Sequence, residues 1–294
     1  ATATSNRSGI ALFRVSESDY RKINAKSELY YQELTAPEGY VVSGGKIGME
    51  KADLTTNQTT AEKKAETVRN YRGVTPDLLN DSDHFAYVIG YPDGTVHPNG
   101  QITRAEVATI FFRLLRDEVR DGAFTTSNTY SDVAYGKWYN NPISTMSALG
   151  IITGYPDGTF KPNKPITRAE FAAIAARFDE TQSGKSATWA AKEIGIAYYN
   201  DWIKGYPDGT FKPDQNITRA EAMTLINRVL ERKPESPADL LTNMNKWTDN
   251  MDTSKWYYLD VQEATNSHGY TRKTFNYELW RQMLPDPDWS RYER

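Results

Sequence analysis

The chain has 294 residues and a formal net charge of −3, a balance that gives no support to nucleic-acid binding. It contains no cysteine, which excludes disulfides, thiolate metal sites and cysteine nucleophiles and fits an exported bacterial protein better than a cytosolic one. Hydrophobic residues make up 38%, aromatics 12%, and mean hydropathy is −0.69, so small aromatic-rich cores are expected. No apolar run approaches the ~18 residues of a membrane span. No signal-peptide pattern opens the sequence and no lipidation signal closes it, so attachment to a cell is expected to be non-covalent.

From the N-terminus, Ala11–Val15 and Tyr30–Glu33 read as strands. The run Glu33-Leu34-Thr35-Ala36-Pro37-Glu38-Gly39-Tyr40 resembles the closing motif of collagen-binding-protein B-type surface modules, which are β-sandwiches. In that family the matching Glu promotes a Lys–Asn isopeptide bond. Here no Lys precedes the first strand, so no such bond is expected. The resemblance covers about residues 9–47, and a β-hairpin whose turn happens to match is the plainer alternative. Lys51–Asn70 is polar and rich in Thr, Lys and Glu, a linker or a solvated helix.

Beyond it the chain repeats itself. Gly-Tyr-Pro-Asp-Gly-Thr begins at Gly90, Gly154 and Gly205, and Ile-Thr-Arg-Ala-Glu begins at Ile102, Ile166 and Ile217, always 12 residues later. Tyr-Pro-Asp-Gly is turn chemistry, with φ preset by Pro and a left-handed position suited to Gly. Thr-Arg-Ala-Glu is a capping box that starts a helix. Its apolar face follows at helical spacing: Val107, Ile110, Phe111, Leu114; Phe171, Ile174, Ala175, Phe178; Ala222, Leu225, Ile226, Val229. A second helix is expected upstream of each turn, because Trp138 and Trp189 each stand 16 residues before their Gly. Copy 1 lacks that helix, while Trp247–Tyr257 resembles Tyr130–Tyr139 and continues into a plausible helix. The C-terminal half-repeat is therefore expected to close a ring with copy 1; an independent tail is the alternative. Copy 3 is shortened, with 12 residues from Arg177 to Trp189 against 25 from Arg113 to Trp138.

Gly-Tyr-Pro-Asp-Gly-Thr-Phe-Lys-Pro followed by Ile-Thr-Arg-Ala-Glu-Phe resembles the S-layer homology (SLH) domain, and Tyr130-Ser131-Asp132-Val133…Trp138 resembles its entry segment. The resemblance implies a mainly α fold of three two-helix repeats in a pseudo-threefold spindle, here with a small N-terminal β fragment. It implies an extracellular protein of the cell wall or S-layer, held non-covalently by peptidoglycan-linked secondary cell-wall polysaccharide, often pyruvylated. The organisation expected is a partial surface module at 1–50, a linker at 51–78, repeats at 79–120, 121–180 and 181–232, and a ring-completing extension at 233–294. An S-layer lattice subunit, or an accessory region of a wall-associated glycoside hydrolase, is the alternative.

The arginines of the repeat motif, Arg104, Arg168 and Arg219, carry the binding hypothesis. A cation at the first helical position opposes the macrodipole, yet every copy has one. A helix N-terminus with free N–H groups and a guanidinium fork suits a carboxylate; a salt bridge to a neighbouring repeat is the competing account. Trp138, Trp189 and Trp256 are candidate sugar platforms or core residues. Asp132 either caps the upstream helix or binds a sugar hydroxyl. Gly154 and Gly205 either admit a ligand or end a helix. No enzyme activity, cofactor, metal or membrane insertion is expected: His84, His97 and His268 show no ligand spacing, Ser43-Gly44-Gly45-Lys46 lacks companion motifs, and Asp93, Asp157 and Asp208 read as turn formers.

Overall fold

In a computed structural model the described residues are 29–32 and 46–49, as backbone only, and 76–178, 194, 197, 202–206, 208–273 and 277–292. The chain divides into two units, Ala1–Gly73 and Val74–Arg294. In the first, strand β1 (Leu29–Gln32) pairs antiparallel with β2 (Lys46–Met49), Leu29 opposite Met49 and Gln32 opposite Lys46. The expected strand at Ala11–Val15, the Glu33–Tyr40 turn and the Lys51–Asn70 linker lie outside the described residues.

The second unit is helical. Its described helices are α1 (Arg104–Leu114), α2 (Asp117–Ala123), α3 (Asn140–Ala148), α4 (Arg168–Ala176), α5 (Arg219–Val229) and α6 (Tyr258–Thr265), followed by a hairpin of β3 (His268–Arg272) and β4 (Glu278–Met283). Helices α1, α4 and α5 start at Thr103, Thr167 and Thr218, and each has both halves of the capping box, closed by Glu106, Glu170 and Glu221. Phe111, Ile174 and Ile226 are buried in one common core. Burial extends well beyond a single stripe: in α1 only Glu106 and Arg113 are not buried. These helices are central elements enclosed by neighbours, so their true burial is wider than their amphipathic pattern suggests.

The turns match their chemistry. Gly94, Gly158 and Gly209 have φ of 79°, 78° and 77°. Asp93, Asp157 and Asp208 each accept from the backbone N–H and hydroxyl of the Thr two residues on, at 2.6–3.0 Å. Those bonds, first from the Thr159 and Thr210 hydroxyls, hold the Asp157 and Asp208 carboxyls down at about 2.

Ring closure is visible bond by bond. In repeat 2 the N–H groups of Ile151 and Ile152 donate to Met146 O, and in repeat 3 those of Trp202 and Ile203 donate to Ala197 O. In repeat 1 the same two bonds run from Tyr87 and Val88 to Ala264 O of α6. Asp132 accepts from the N–H groups of Phe160 and Lys161 at 2.8 Å, and Asp249 accepts from Val96 and His97 at 3.0 and 2.8 Å. The chain end is docked as well: Asn141 Nδ2 donates to Tyr292 O, and the Tyr292 ring meets Phe112 edge-on.

Helix α6 therefore occupies in repeat 1 the place that α3 occupies in repeat 2. Deleting everything after Arg232 should orphan the Tyr87 and Val88 amides and lower the melting temperature of the whole second unit; an unchanged melting curve would show the tail to be independent. Asp249→Ala alone removes two charge-assisted bonds from a partly exposed carboxylate and should cost about 2–3 kcal/mol, roughly 4–10 °C in Tm.

Candidate functional site

The junctions between repeats are built from each capped helix and the turn of the next copy. Three backbone bonds define them. Ile166 N–H donates to Ile102 O at 3.0 Å, Ile217 N–H to Ile166 O at 3.1 Å, and Ile102 N–H to Ile217 O at 3.4 Å, a closed cycle. Around it, the first helical N–H groups are taken by the following repeat: Arg104 and Ala105 donate to Lys164 O and Pro162 O, Arg168 and Ala169 to Gln215 O and Pro213 O, Arg219 and Ala220 to Gly100 O and Pro98 O. The bend presenting those carbonyls turns on left-handed residues, His97, Lys161 and Lys212, with φ of 48°, 58° and 53°.

The arginines complete the same contact. Arg104 donates from Nε to Phe160 O (2.8 Å) and from Nη2 to Thr153 O (2.9 Å), and Nη1 lies 3.3 Å from Glu170. Arg168 repeats this with Phe211 O, Lys204 O and Glu221, and Arg219 with Val96 O, Ile89 O and Glu106. All three side chains are 6–7% exposed. The free-amide anion pocket expected at each helix start is thus filled by protein: first-turn amides and guanidinium forks are engaged across the junction. The salt-bridge account of the arginines is the one the geometry displays. The capping glutamates do double duty, with Oε2 closing the capping box and Oε1 receiving the previous repeat's Arg.

The other candidates separate. Trp138 and Trp256 are 54% and 62% exposed, each edge-on to the following tyrosine, Tyr139 and Tyr257, so neither is a core residue. Trp189 lies outside the described residues. Asp132 does not cap α3, whose N-cap Tyr139 has no side-chain cap bond; its two oxygens accept from the bend of its own repeat. Gly154 is required by packing, since a Cβ there would overlap the Tyr130 ring and approach Thr159 O at 2.6 Å, and Gly90 stands likewise under Trp247. Gly205 would meet Thr210 O at 3.1 Å. Helix α3 is ended by Gly150, with φ of 74°, and not by Gly154.

What remains at the surface differs among junctions. Over Tyr155 the Arg104 guanidinium sits at 4.8 Å, Lys161 at 4.3 Å and Lys164 at 5.0 Å from the ring centroid. The Lys161 and Lys164 side chains are 41% and 43% exposed. The corresponding Tyr206 junction keeps Lys212 and has Gln215 in place of the second lysine, with Gln215 donating to the Tyr206 hydroxyl. At Tyr91 the positions hold His97 and Gly100. Turn chemistry alone accounts for the motif, so nothing local in the sequence marks the Tyr155 ring and its lysines as a surface.

A cyclic, helical three-repeat module with aromatic–cationic junctions is the class this architecture defines. Residues 86–108, 129–172 and 182–223 match the family model of the S-layer homology domain. The chain carries three S-layer homology segments, a module of cell-surface anchoring proteins. The chain is similar to a cell surface glycoprotein 1 of Acetivibrio thermocellus, 39% identical over 64% of this chain and 9% of the relative, and to a cellulosome-anchoring protein of the same organism, 37% over 66% and 45%. It is also similar to an amylopullulanase of Thermoanaerobacterium thermosulfurigenes, 32% identical over 73% of this chain and 12% of that protein. The chain spans less than half the length of each of these relatives. The family match begins at residue 86 and lends no support to the surface-module resemblance of the N-terminal piece. Among the described residues no helix is long and apolar enough to cross a membrane.

Two predictions test the junction. Arg168→Ala and Arg168→Lys should both lower stability, Ala by about 2–4 kcal/mol, because two part-buried carbonyls and a carboxylate lose their donor; an Arg168→Lys chain melting like the parent would refute it. At Glu170, burial raises the carboxyl pKa but is outweighed by the bonds from Tyr155 and Thr167 and by Arg104 and Lys164, which together hold it below the ordinary 4.5. Its contribution is complete above that ordinary value and is lost as pH falls through the lower folded one. The Tm gap between parent and Glu170→Gln should therefore be wide at pH 6 and narrow on strong acidification.

Proposed function

We propose that this chain anchors an exported protein to the bacterial cell wall by binding the secondary cell-wall polysaccharide, in pyruvylated form, and that it does so without catalysis. The observation that carries the reading is the Tyr155 junction: an aromatic ring with a buried guanidinium beside it and two half-exposed lysines, a surface suited to a sugar ring bearing a carboxylate. Trp138 and Trp256, exposed at one repeat position, supply further apolar faces for glycan. The relatives support a shared module: a surface glycoprotein, an anchoring protein and an amylopullulanase differ in name and length yet share this region. An attachment role is the simplest property that such different proteins can have in common.

The test is affinity for purified wall polysaccharide before and after chemical removal of pyruvate. Lys161→Gln with Lys164→Gln should weaken binding about tenfold or more, at the scale of one or two charge-assisted contacts. The melting curve should move little, because both side chains are substantially solvated. Trp138→Ala should weaken binding with similarly small effect on stability. Equal affinity for the depyruvylated polymer would remove the carboxylate from the reading, and absence of binding to walls would remove the glycan. Release of reducing ends from wall polysaccharide would overturn the non-catalytic assignment.

A further inference from the structure

Four titratable side chains that take no part in the junctions converge where the ring closes. His84 lies near the start of repeat 1, before its turn, Glu263 lies in the last turn of α6, His268 opens β3 and Glu278 opens β4. All four side chains are 0% exposed, and one ligating atom of each lies within 4.8 Å of the others. His84 Nδ1 stands 3.2 Å from Glu278 Oε2 and 3.7 Å from Glu263 Oε1; His268 Nε2 stands 3.2 Å from Glu278 Oε1 and 3.5 Å from Glu263 Oε2. Four ligands bonded at about 2.0–2.1 Å to a tetrahedral zinc are about 3.3 Å apart; the nearest pairs here stand at that spacing, and a set of one atom from each residue, within 4.8 Å overall, would draw in on binding.

Orientation agrees with spacing. His84 Nδ1, Glu263 Oε1 and Glu278 Oε2 are buried and make no hydrogen bond, although each has a polar neighbour close by. With His84 Nε2 unpartnered as well, the four side chains form a buried polar cluster that does not satisfy itself. His268 Nδ1 is 2.8 Å from Asn266 O, a contact in which the ring N–H donates, so Nε2, 3.2 Å from Glu278 Oε1, is the nitrogen that faces the carboxylates. Trp280 Nε1 donates to Glu263 Oε2 at 3.1 Å, and the imidazoles are held by stacking, His268 on Trp280 and His84 on Tyr270. A surface cleft of about 460 Å³ walled by Asp83, His84 and Ser267 offers an approach.

We propose that His84, Glu263, His268 and Glu278 form a closed four-ligand site for a divalent first-row transition metal, zinc by its ligand chemistry. Two imidazoles with two carboxylates suit zinc and disfavour calcium or magnesium, which take oxygen ligands. Four protein ligands in a buried setting define a structural site and leave no open position for catalysis. The metal would tie the segment entering repeat 1 to the half-repeat that completes it, beside the bond from His268 N–H to His84 O.

The experiment uses the full chain, stripped with EDTA and then dialysed against zinc, with metal content measured by mass spectrometry. One zinc per chain is expected. Zinc at about 100-fold above its Kd should raise Tm by roughly 5–10 °C, and calcium should not. Cobalt in place of zinc should give the intense visible absorption of a tetrahedral site, erased by added zinc. His268→Gln and Glu278→Gln should lose the stoichiometric zinc, while His97→Gln, altered at an exposed histidine, should keep it. Should the ligand variants fail to fold, the cobalt spectrum and Tm shift of the unaltered chain decide. No metal uptake, no zinc-dependent Tm shift, or unchanged zinc content in folded ligand variants would overturn the proposal and leave a proton-linked polar network.

Discussion

Everything in the second unit depends on one requirement: the first amides of each capped helix are satisfied by the bend of the next repeat. A helix start leaves four N–H groups without intrahelical partners. Here the Glu106 carboxylate takes the N–H of the cap and the Thr103 hydroxyl the third helical one, while carbonyls such as Lys164 O and Pro162 O serve the first and second. No repeat can satisfy itself in this arrangement. The Ile102–Ile166–Ile217 cycle makes the dependence circular, so copy 3 must return to copy 1. A repeat that is too small to bury its own apolar face thereby also becomes unable to satisfy its own polar groups.

The arginine at the first helical position follows from that circle. Its charge opposes the helix dipole by a few tenths of a kcal/mol. Against this it supplies, in one rigid fork, donors for two carbonyls of the next repeat and a partner for that repeat's capping Glu. The carboxylate's charge is thus balanced near a helix N-terminus that already favours it. Lys could match the charge but not three directions at once. The recurrence of Thr-Arg-Ala-Glu in every copy has two causes: Thr and Glu act within the repeat, while Arg and Glu act between repeats.

The capped helices, the Pro-Asp-Gly turns and the displaced half-repeat at Trp247 are legible in the sequence because each is written in local spacing. Glu170 shows the limit. Its capping role needs only Thr167 three residues earlier, whereas its second oxygen meets Arg104 from another copy, a pairing that no local pattern announces. Asp132 was misplaced for the same reason: an acidic residue before a helix looks like a cap, but its partners, Phe160 and Lys161, come from beyond α3. The exposure of Trp138 and Trp256 could not be read from a residue type equally at home in cores. His84 and His268 show no ligand spacing because ring closure, a tertiary event, brings them together.

Closure also bears on why the three junctions differ at the surface. The backbone cycle and the Arg–Glu pairs, with their arginines buried, are common to all, so they set the geometry without distinguishing one junction from another. Variation is confined to the half-exposed positions after each turn: Lys161 and Lys164, then Lys212 and Gln215, then His97 and Gly100. Cationic character therefore declines around the ring from the Tyr155 junction to the Tyr91 junction. At the latter, the chain completes the fold with a segment borrowed from its C-terminus, and the bend is held by Asp249 against Val96 and His97. The junction that bears the burden of closure is thus the one with the least cationic surface, and the Tyr155 junction, in the repeat whose entry segment, turn and capped helix are all continuous in sequence, has the most. The most cationic junction and the closure of the ring thus lie on different sides of one nearly symmetric frame.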